Sequence, residues 1–600
     1  MEKRVRGSGI HKARKKDKRI LVGIIATTVL ILGGITFAVI FFFSNRVQPN
    51  MEVVSMHEYR ELNADTTHIL LSGDILLEQE TQTINGELYL PLSFVMSFAG
   101  PHLFWEPEIN LVTLTNQTML KRIPIDSFAV TLNFEASTIP HQIRQIGGEA
   151  FLPLGFVHEW FDINASYSEE LNLAIVDITT TDMEQVTVMS EVSHVRHEPD
   201  ILSPIVETVE RDNLLFVFDT ELIYNEETEE YEETARGYEY GFTRVRTSLG
   251  NIGFVDNNDI SEIANINGFT RQPDRLPSMS TVGAPINMVW DLITVYAANY
   301  EPRTRVVHPG LNVISPTWIH FDRVNYDGRV IHHSSRDYVN WAHSNGIQVW
   351  PMVFDDMDLD VVGVILSDSS QRDFVIQQFM DIAREFNFDG YNIDLEHMRM
   401  HEVVYFLQFL RELSPFMRQN ELTFSVAAFV PLPWNRIFNH REMARVADYV
   451  AIMAYDENVS STGPNASLDF IRRSVGYSIE LMPSEQVILG LPFYTRIWTE
   501  TEIDGEIQYS VRSVGMQFAR TLFAGHQFVW KDEYGSYYVE YNTTENGNPV
   551  TRRSWIEDAR SIGVKTQFVV DYNLAGTAGW SRGLETRETW LTIQEILATQ

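Results

Sequence analysis

The sequence contains no cysteine among its 600 residues. Disulfide bonds, thiolate metal sites and thiol nucleophiles are therefore excluded, and stability must come from buried cores. Positive charge is also scarce, because 46 Lys and Arg residues are set against 81 Asp and Glu residues, which gives a formal net charge of −35. Nucleic acid is not expected as a partner, since phosphate binding requires concentrated positive charge.

Charge is absent from residues 20–43, and this run of 24 residues is long enough to cross a hydrocarbon core of about 30 Å as a helix. Nine basic residues crowd residues 1–19, whereas only Arg46 follows closely. The positive-inside rule therefore predicts a cytoplasmic basic tail, a single transmembrane helix and an extracytoplasmic remainder. A cleaved signal peptide is the alternative, but residues 41–46 offer no small-residue cleavage site.

Residues 389–396 read DGYNIDLE and alternate polar with apolar side chains. In an extended strand, Asn392, Asp394 and Glu396 share one face, and the apolar residues between them share the other. Neighbouring carboxylates on one face lie roughly 6.5 to 7 Å apart, so each ionisation opposes the other and one pKa rises. A carboxyl group that stays protonated near neutral pH can act as a general acid. A solvent-exposed strand is the alternative, but the helix-like stretch 379–388 before it favours a βα repeat.

Eight apolar runs in the C-terminal half predict eight strands that alternate with helices. One such helix is indicated by the helical spacing of apolar residues over 403–413. This alternation predicts a parallel (β/α)8 barrel over residues 286–600. An aromatic-rich segment at 528–541 is interpreted either as a wall of the substrate cleft or as the core of a small insertion. The predicted strands are 286–290, 313–319, 348–354, 390–395, 423–429, 449–455, 487–491 and 576–580.

The run 389–396 resembles the D-G-x-D-x-D-x-E signature of glycoside hydrolase family 18, the chitinase-like (β/α)8 barrels. It departs from that signature at Asn392, where the family more often has Asp. This departure bears on the proton relay behind Asp394 and on the pH profile. Residues 451–456, AIMAYD, resemble the sixth-strand M-x-Y-D motif, and Trp580 resembles the Trp that forms the apolar floor under the cleaved sugar.

The resemblance implies substrate-assisted retaining hydrolysis, without cofactor or metal. Glu396 is the implied acid, Asp394 orients the substrate's 2-acetamido group, and Tyr455 contacts that group from its carbonyl side. The other implied substrate contacts are Asp389, Asn392, Asp456, Trp350 and Trp580.

The predicted extracytoplasmic position favours peptidoglycan or spore cortex as the substrate. The runs 312–318 and 348–353 look most like the spore-germination and cortex-lytic subgroup of the family. Hydrolysis of chitin or its oligosaccharides is a second interpretation with the same chemistry. A noncatalytic glycan-binding protein, like the chitinase-like lectins, is a third; those proteins usually lose the acid that is present here as Glu396.

Two smaller domains are predicted before the barrel. In the first, 51–180, residues 86–95 are echoed by 148–157, and each copy predicts a turn, a strand and a helix. It resembles the stalk domain related to copper amine oxidase N-termini in Gram-positive surface proteins, and its scattered histidines do not predict a metal site.

The second domain, 185–257, resembles a small all-β bacterial SH3-like barrel that contacts the wall. Its acidic run 226–233 is interpreted as a solvated hairpin tip, with a binding surface as the alternative. Residues 258–285 are the predicted linker to the barrel.

Overall fold

A computed structural model describes most of the chain beyond residue 47. The chain folds as two compact units, Met1–Pro91 with Val157–Arg271, and Leu92–Phe156 with Gln272–Gln600. The described residues are 27–28, 30–32, 34–36, 48–60, 62–63, 67–73, 75–77, 81–98, 102–218, 220–225, 230–235, 241–270, 276–283, 285–293, 301–504 and 506–600.

Most of the predicted membrane segment 20–43 lies outside these residues. Within the described part of the chain, no helix has the length and apolar character needed to cross a membrane.

The C-terminal unit contains a closed barrel of eight parallel strands. Each strand pairs in parallel with the next, and the last pairs with the first, so the ring has no free edge. The predicted (β/α)8 barrel is confirmed. The strands are β1 (Ile286–Asp291), β2 (Val313–Phe321), β3 (Gln348–Val349 and Met352–Phe354), β4 (Gly390–Asp394), β5 (Thr423–Phe429), β6 (Tyr449–Met453), β7 (Val487–Pro492) and β8 (Gly576–Trp580).

Helices follow the strands around the barrel. The Asp368 side chain accepts from two backbone N–H groups at the start of α3, and Asn387 ends that helix in the left-handed region. The helices are α1 (Glu301–Thr304), α2 (Arg336–Ser344), α3 (Ser369–Phe386), α4 (Val403–Gln419), α5 (His440–Val446), α6 (Leu468–Leu481), α7 (Ala559–Asp571) and α8 (Arg587–Leu597).

An antiparallel sheet is inserted between β7 and α7. Its small core includes Ile497, Phe523 and Val539, and Phe528 and Tyr537 pack against it. The aromatic segment at 528–541 therefore serves at least in part as the core of this insertion. The strands are Tyr494–Ile503, Glu506–Gly515, Val529–Lys531, Ser536–Glu545 and Asn548–Ile556.

A second antiparallel sheet in the same unit packs against the barrel helices. Arg122 in this sheet makes ion pairs with Asp373 of α3 and with Glu412 of α4. Its five strands are Leu103–Glu106, Leu111–Asn116, Met119–Pro124, Ala129–Leu132 and Glu135–Thr138.

The predicted internal repeat has the predicted structure. In the first copy, the strand Glu87–Pro91 runs into the helix Leu92–Phe98. In the second, the strand Glu149–Pro153 runs into the helix Leu154–Trp160. Short hairpin strands, Gln82–Ile84 and Arg144–Ile146, precede the two copies.

The first unit contains a four-stranded and a seven-stranded sheet. The four-stranded sheet combines Ile163–Ser168 and Leu173–Ile178 with His68–Leu71 and Ile75–Leu77. The seven-stranded sheet is antiparallel, and it is built on a Val-rich core. Its strands are Met183–Thr187, Val192–Arg196, Ile205–Glu210, Leu214–Val217, Phe242–Arg246, Ile252–Asp256 and Ala264–Ile266.

The all-β character predicted for 185–257 is therefore present, and its SH3-like identity stays a prediction. Thr220–Asn225 and Glu230–Ala235 form an antiparallel hairpin, and the acidic residues 226–229 between them lie outside the described residues.

Candidate active site

The predicted catalytic residues meet at the carboxyl end of the barrel. Asp394 is the last residue of β4, and Glu396 follows it by two positions. Tyr455 stands two residues beyond the end of β6, and its hydroxyl interacts electrostatically with both carboxyl groups. Since all eight strands run in the same direction, their ends place these three side chains on one face.

Asp394 and Glu396 form a carboxyl pair in which Asp394 is buried and Glu396 is half-buried. The Asp394 residue is 5% exposed, and the two carboxyl groups lie close enough for each to change the pKa of the other. Burial raises the pKa of Asp394 well above its ordinary value, and the nearby Glu396 and Asp355 carboxylates raise it further. Burial also raises the pKa of Glu396. The pair therefore retains a proton at a pH where isolated carboxyl groups are ionised.

Tyr455 and Asp456 form the adjacent wall. Burial raises the pKa of the Tyr455 hydroxyl well above its ordinary value, and the surrounding carboxylates and Tyr494 reinforce the effect, so this hydroxyl is a neutral donor. The Tyr494 hydroxyl donates to Asp456, which also pairs with Arg496 at 2.6 Å. A Cβ at Gly490 would lie 2.6 Å from the Ile452 carbonyl oxygen and 3.2 Å from the Tyr455 ring. Glycine therefore permits this close approach.

Trp580 ends β8 at the same face and is half-buried. Its ring lies 5.9 Å from that of Trp290, between centroids. A partly exposed indole supported by a second indole is suited to bind the apolar face of a sugar ring.

The sequence comparisons agree with this geometry. Residues 362–585 match the sequence model of glycosyl hydrolases family 18, and residues 72–176 match that of the copper amine oxidase N-terminal domain. The chain carries a family 18 glycosyl hydrolase domain, preceded by a copper amine oxidase N-terminal-like domain.

Several known proteins are similar to part of this chain. The glycosylase YvbX of Bacillus subtilis, itself uncharacterized, is 21% identical over 318 residues, 50% of this chain and 88% of YvbX. The cortical fragment-lytic enzyme of Bacillus subtilis is 24% identical over 242 residues, 39% of this chain and 55% of the enzyme. The di-N-acetylchitobiase of Mus musculus is 23% identical over 273 residues, 40% of this chain and 72% of that protein. The chain thus spans about half the length of the cortical fragment-lytic enzyme.

Asn392 lies inside the barrel, beneath the pair of Asp394 and Glu396, and not in the cleft of the family 18 domain. It is fully buried, its side-chain oxygen accepts from Trp290 Nε1 at 2.9 Å, and its amide nitrogen donates to Ser425 Oγ at 2.9 Å. The predicted substrate contact is therefore corrected, because both polar ends of Asn392 bond protein groups. The Ser425 hydroxyl donates to the Tyr391 carbonyl, so position 392 must itself supply a donor toward Ser425.

This arrangement predicts the effect of Asn392→Asp, the residue that the family more often has here. A carboxylate cannot donate to Ser425, and it adds a charge beside Asp394 inside the barrel. We expect a loss of roughly 2 to 4 kcal/mol of unfolding free energy, since burying an uncompensated polar or charged group carries that order of penalty. Thermal melts at pH 7 check this, and an unchanged melting temperature would contradict it.

Asp389 and Trp350 lie at the opposite end of the family 18 barrel. Asp389 precedes β4, pairs with His343 at 2.8 Å and accepts from the Val349 backbone N–H at 2.8 Å. Trp350 is fully buried and stacks on Tyr449, the first residue of β6, with 6.0 Å between ring centroids. Both predicted substrate contacts are corrected, because residues before or early in a strand lie at the amino end, away from Asp394.

Sequence reasoning missed a third carboxylate of the family 18 site, which is buried. Asp355 follows β3 directly and is 3% exposed. Its Oδ2 accepts from the backbone N–H groups of Glu396 and His397 at 2.8 and 2.7 Å. Its Oδ1 contacts His397 Nδ1 at 2.9 Å and accepts from the Met357 backbone N–H at 3.0 Å. Its position immediately after a barrel strand was the signal available in the sequence.

An ion-pair cluster lies at the carboxyl end of the family 18 barrel. Arg582 lies two residues beyond β8 and contacts Asp291 of β1 at 3.0 Å, and Tyr338 of α2 donates to that carboxylate. Across the described residues, no group of three or more His, Asp or Glu side chains is arranged to hold a metal ion.

Proposed function

We propose that the protein is a retaining glycosidase that cleaves glycans containing N-acetylglucosamine. The observation that carries this proposal is the pair of Asp394 and Glu396 at the carboxyl end of a family 18 barrel. Asp394 is buried, and the pKa of each carboxyl group is raised. A carboxyl group poised to give up a proton near neutral pH is the requirement for protonating a glycosidic oxygen.

The first step is departure of the leaving group. Glu396 gives its proton to the glycosidic oxygen, which takes the electron pair of the breaking bond to the anomeric carbon. The carbonyl oxygen of the substrate's own acetamido group forms a bond to that carbon from the other side, and this gives a cyclic oxazolinium ion. The protein therefore supplies no nucleophile.

Asp394 stabilises the positive charge of that ion. The pair holds one proton, which passes from Asp394 to Glu396 before Glu396 gives it to the glycosidic oxygen. The Asp394 carboxylate can then accept a hydrogen bond from the acetamido N–H, and Glu396 is left ionised. Asp394 Oδ1 is suited to this role, because it is buried and has no hydrogen-bond partner among the described residues. In the second step Glu396 takes a proton from water, the water oxygen bonds to the anomeric carbon, and the ring of the oxazolinium opens.

Tyr455 donates its hydroxyl proton to the acetamido carbonyl oxygen in this proposal. We expect Tyr455→Phe to lower kcat by roughly 10- to 100-fold, because a hydrogen bond to a group that gains charge is worth about 1.5 to 3 kcal/mol. Initial rates on N-acetylglucosamine oligomers measure the loss. Tyr477→Phe on α6 makes the same chemical change outside the site and should keep full activity, and equal losses in both variants would contradict the role of Tyr455.

Peptidoglycan or spore cortex is the proposed substrate class. The similarity to a cortical fragment-lytic enzyme supports it, and the similarity to di-N-acetylchitobiase keeps chito-oligosaccharides as the second candidate. Parallel digests of purified spore cortex, vegetative peptidoglycan and chitin oligomers separate the two. Release of fragments from chitin oligomers alone would overturn the wall assignment, whereas binding without release from any glycan would favour the lectin-like alternative.

We also propose that the enzyme is anchored in a cell membrane with the barrel outside the cytoplasm. The uncharged run 20–43 and the basic residues before it support this arrangement. The copper amine oxidase N-terminal-like domain then acts as a stalk, and the seven-stranded sheet acts as an SH3-like module that contacts the wall. Such tethering would raise the local concentration of glycan at the site. Protease protection of intact cells, with an antibody to the barrel, tests the orientation.

A further inference from the structure

We propose that Asp355 is a positioning residue that aims Glu396 and, together with His397, sets the pH range over which Glu396 is protonated. This inference rests on the proposed glycosidase function and adds two residues that the family signature in this chain does not contain.

The geometry starts from the backbone after β4. The strand ends at Asp394, and the next residues, Leu395 to Arg399, form no helix or strand. The backbone N–H groups of Glu396 and His397 therefore have no partner in the barrel ladder. Both donate to Asp355 Oδ2, at 2.8 and 2.7 Å. One carboxylate oxygen thus fixes the direction in which the chain leaves β4. It thereby also fixes the position of the Glu396 Cα atom, from which the side chain projects.

The neighbouring strand holds Asp355 in place. Phe354, the last residue of β3, lies in register with Asp394, the last residue of β4. Asp355 is therefore the first residue beyond the strand end, level with the loop that it holds. Its second oxygen, Oδ1, contacts the His397 ring at 2.9 Å and accepts from the Met357 backbone N–H at 3.0 Å. The carboxylate is therefore held both by its own loop and by the loop after β4. A buried carboxylate with four such partners is oriented in one direction.

Titratable groups face Glu396 from three barrel strands. Asp394 approaches from β4, Asp355 from β3, and Asp456 and Tyr455 from the residues after β6. Burial is the largest cause that raises the pKa of Glu396, and the charges of Asp355 and Asp456 raise it further. His397 acts in the opposite direction and lowers that pKa. Asp355 and His397 are therefore an opposed pair acting on one acid.

Because Asp355 and His397 change the pKa of Glu396 in opposite directions, replacing each of them should shift that pKa in opposite directions. Asp355→Asn keeps an oxygen that can accept both backbone N–H groups but removes the charge, so Glu396 should lose its proton at lower pH. We expect the alkaline limb of the kcat/KM profile to move down by about one pH unit. His397→Asn removes the ring that lowers the pKa of Glu396, and the limb should move up. A purely structural role for Asp355 would change the melting temperature or the rate and would not shift the limb.

Asp355→Ala tests the positioning role separately. Without an acceptor for either backbone N–H group, kcat should fall about 100-fold while KM changes little, because small displacements of a catalytic group have effects of this size. The Asn variant should recover most of this loss at its own optimal pH. If Asn and Ala lower kcat equally at their respective optima, Asp355 does not position Glu396.

The experiment uses the full-length chain and a fluorogenic N-acetylglucosamine disaccharide. The same variants are titrated by carbon NMR of 13C-labelled Glu carboxyl groups, with Glu396→Gln identifying the Glu396 signal. This second readout does not need turnover. Opposite shifts of the Glu396 titration in Asp355→Asn and His397→Asn support the inference even if wild type hydrolyses no glycan, which would overturn only the proposed function. Shifts in the same direction, or none, would overturn the inference.

Discussion

Replacing Glu396 with Gln is expected to lower kcat by about 100- to 10,000-fold with little change in KM. The amide side chain fits the same space beside Asp394 but carries no acidic proton, so the leaving oxygen departs unprotonated. General acid catalysis contributes rate factors of this order. Initial rates of glycan hydrolysis at the pH optimum measure the loss.

A matched control keeps the chemical change and moves it off the site. Glu385 lies on α3 and makes an exposed ion pair with Arg336, so Glu385→Gln should keep full activity. Full activity in Glu396→Gln would remove Glu396 as the acid. The alkaline limb of the wild-type profile should lie above the ordinary pKa of a Glu carboxyl group, because burial raises the pKa of Glu396.

Of the substitutions considered, Glu412→Gln is expected to lower the free energy of unfolding the most. Glu412 is fully buried on α4, where it accepts from Arg122 at 2.7 Å and from Arg372 at 2.9 Å. Gln leaves two buried guanidinium groups short of a counter-charge. Breaking a buried ion pair from one side costs about 3 to 5 kcal/mol. Urea midpoints of the wild type and the variant at pH 7 measure this difference.

The stability that Glu412 contributes depends on pH in a definite direction. The two arginines lower the pKa of Glu412 from 4.5 to about 2 in the folded protein, against the opposing effect of burial. Its contribution to stability is therefore present above about pH 4.5 and is lost as the pH falls toward 2. The stability difference between wild type and Glu412→Gln should shrink over that range. Asp381→Asn, which removes an exposed pair with Arg384, should change stability by under about 0.5 kcal/mol at any pH.

The barrel was predictable from local patterns. Apolar runs of strand length alternate with helical periodicity, and a parallel barrel accommodates eight such repeats. The observed bounds of Thr423–Phe429 and Gly576–Trp580 match the prediction, whereas β3 is interrupted at Trp350 and Pro351. The repeat in the stalk was equally visible, because the same ten-residue pattern of turn, strand and helix occurs twice.

The arrangement of the proposed site residues was predictable only in part. The positions of Asp394 and Glu396 follow from the alternation of one strand and the direction of the barrel. The burial of Asn392 and the amino-end position of Asp389 depend on where β4 begins and on what neighbouring strands present to it. The role of Asp355 depends on a contact between residues 41 apart in sequence. No local pattern encodes such a contact.

The docking of the five-stranded sheet that contains Arg122 on the barrel helices was not visible in the sequence. Arg122 and Glu412 are separated by 290 residues, and each alone resembles an ordinary surface charge. Only the fold shows that they are buried together with Arg372. Long-range ion pairs of this kind leave no periodic signal, so composition and spacing predicted a separate stalk and no connection to the barrel helices.

Glycosidase activity with Glu396 as the acid is best tested by mass spectrometry of fragments released from purified spore cortex and vegetative peptidoglycan by the full-length protein. Glu396→Gln and Glu385→Gln serve as the paired controls. We expect new reducing-end N-acetylglucosamine with the wild type and with Glu385→Gln, and none with Glu396→Gln. Equal release by Glu396→Gln, or no release from either glycan or from chitin oligomers by the wild type, would contradict the assignment of a glycosidase with Glu396 as its acid.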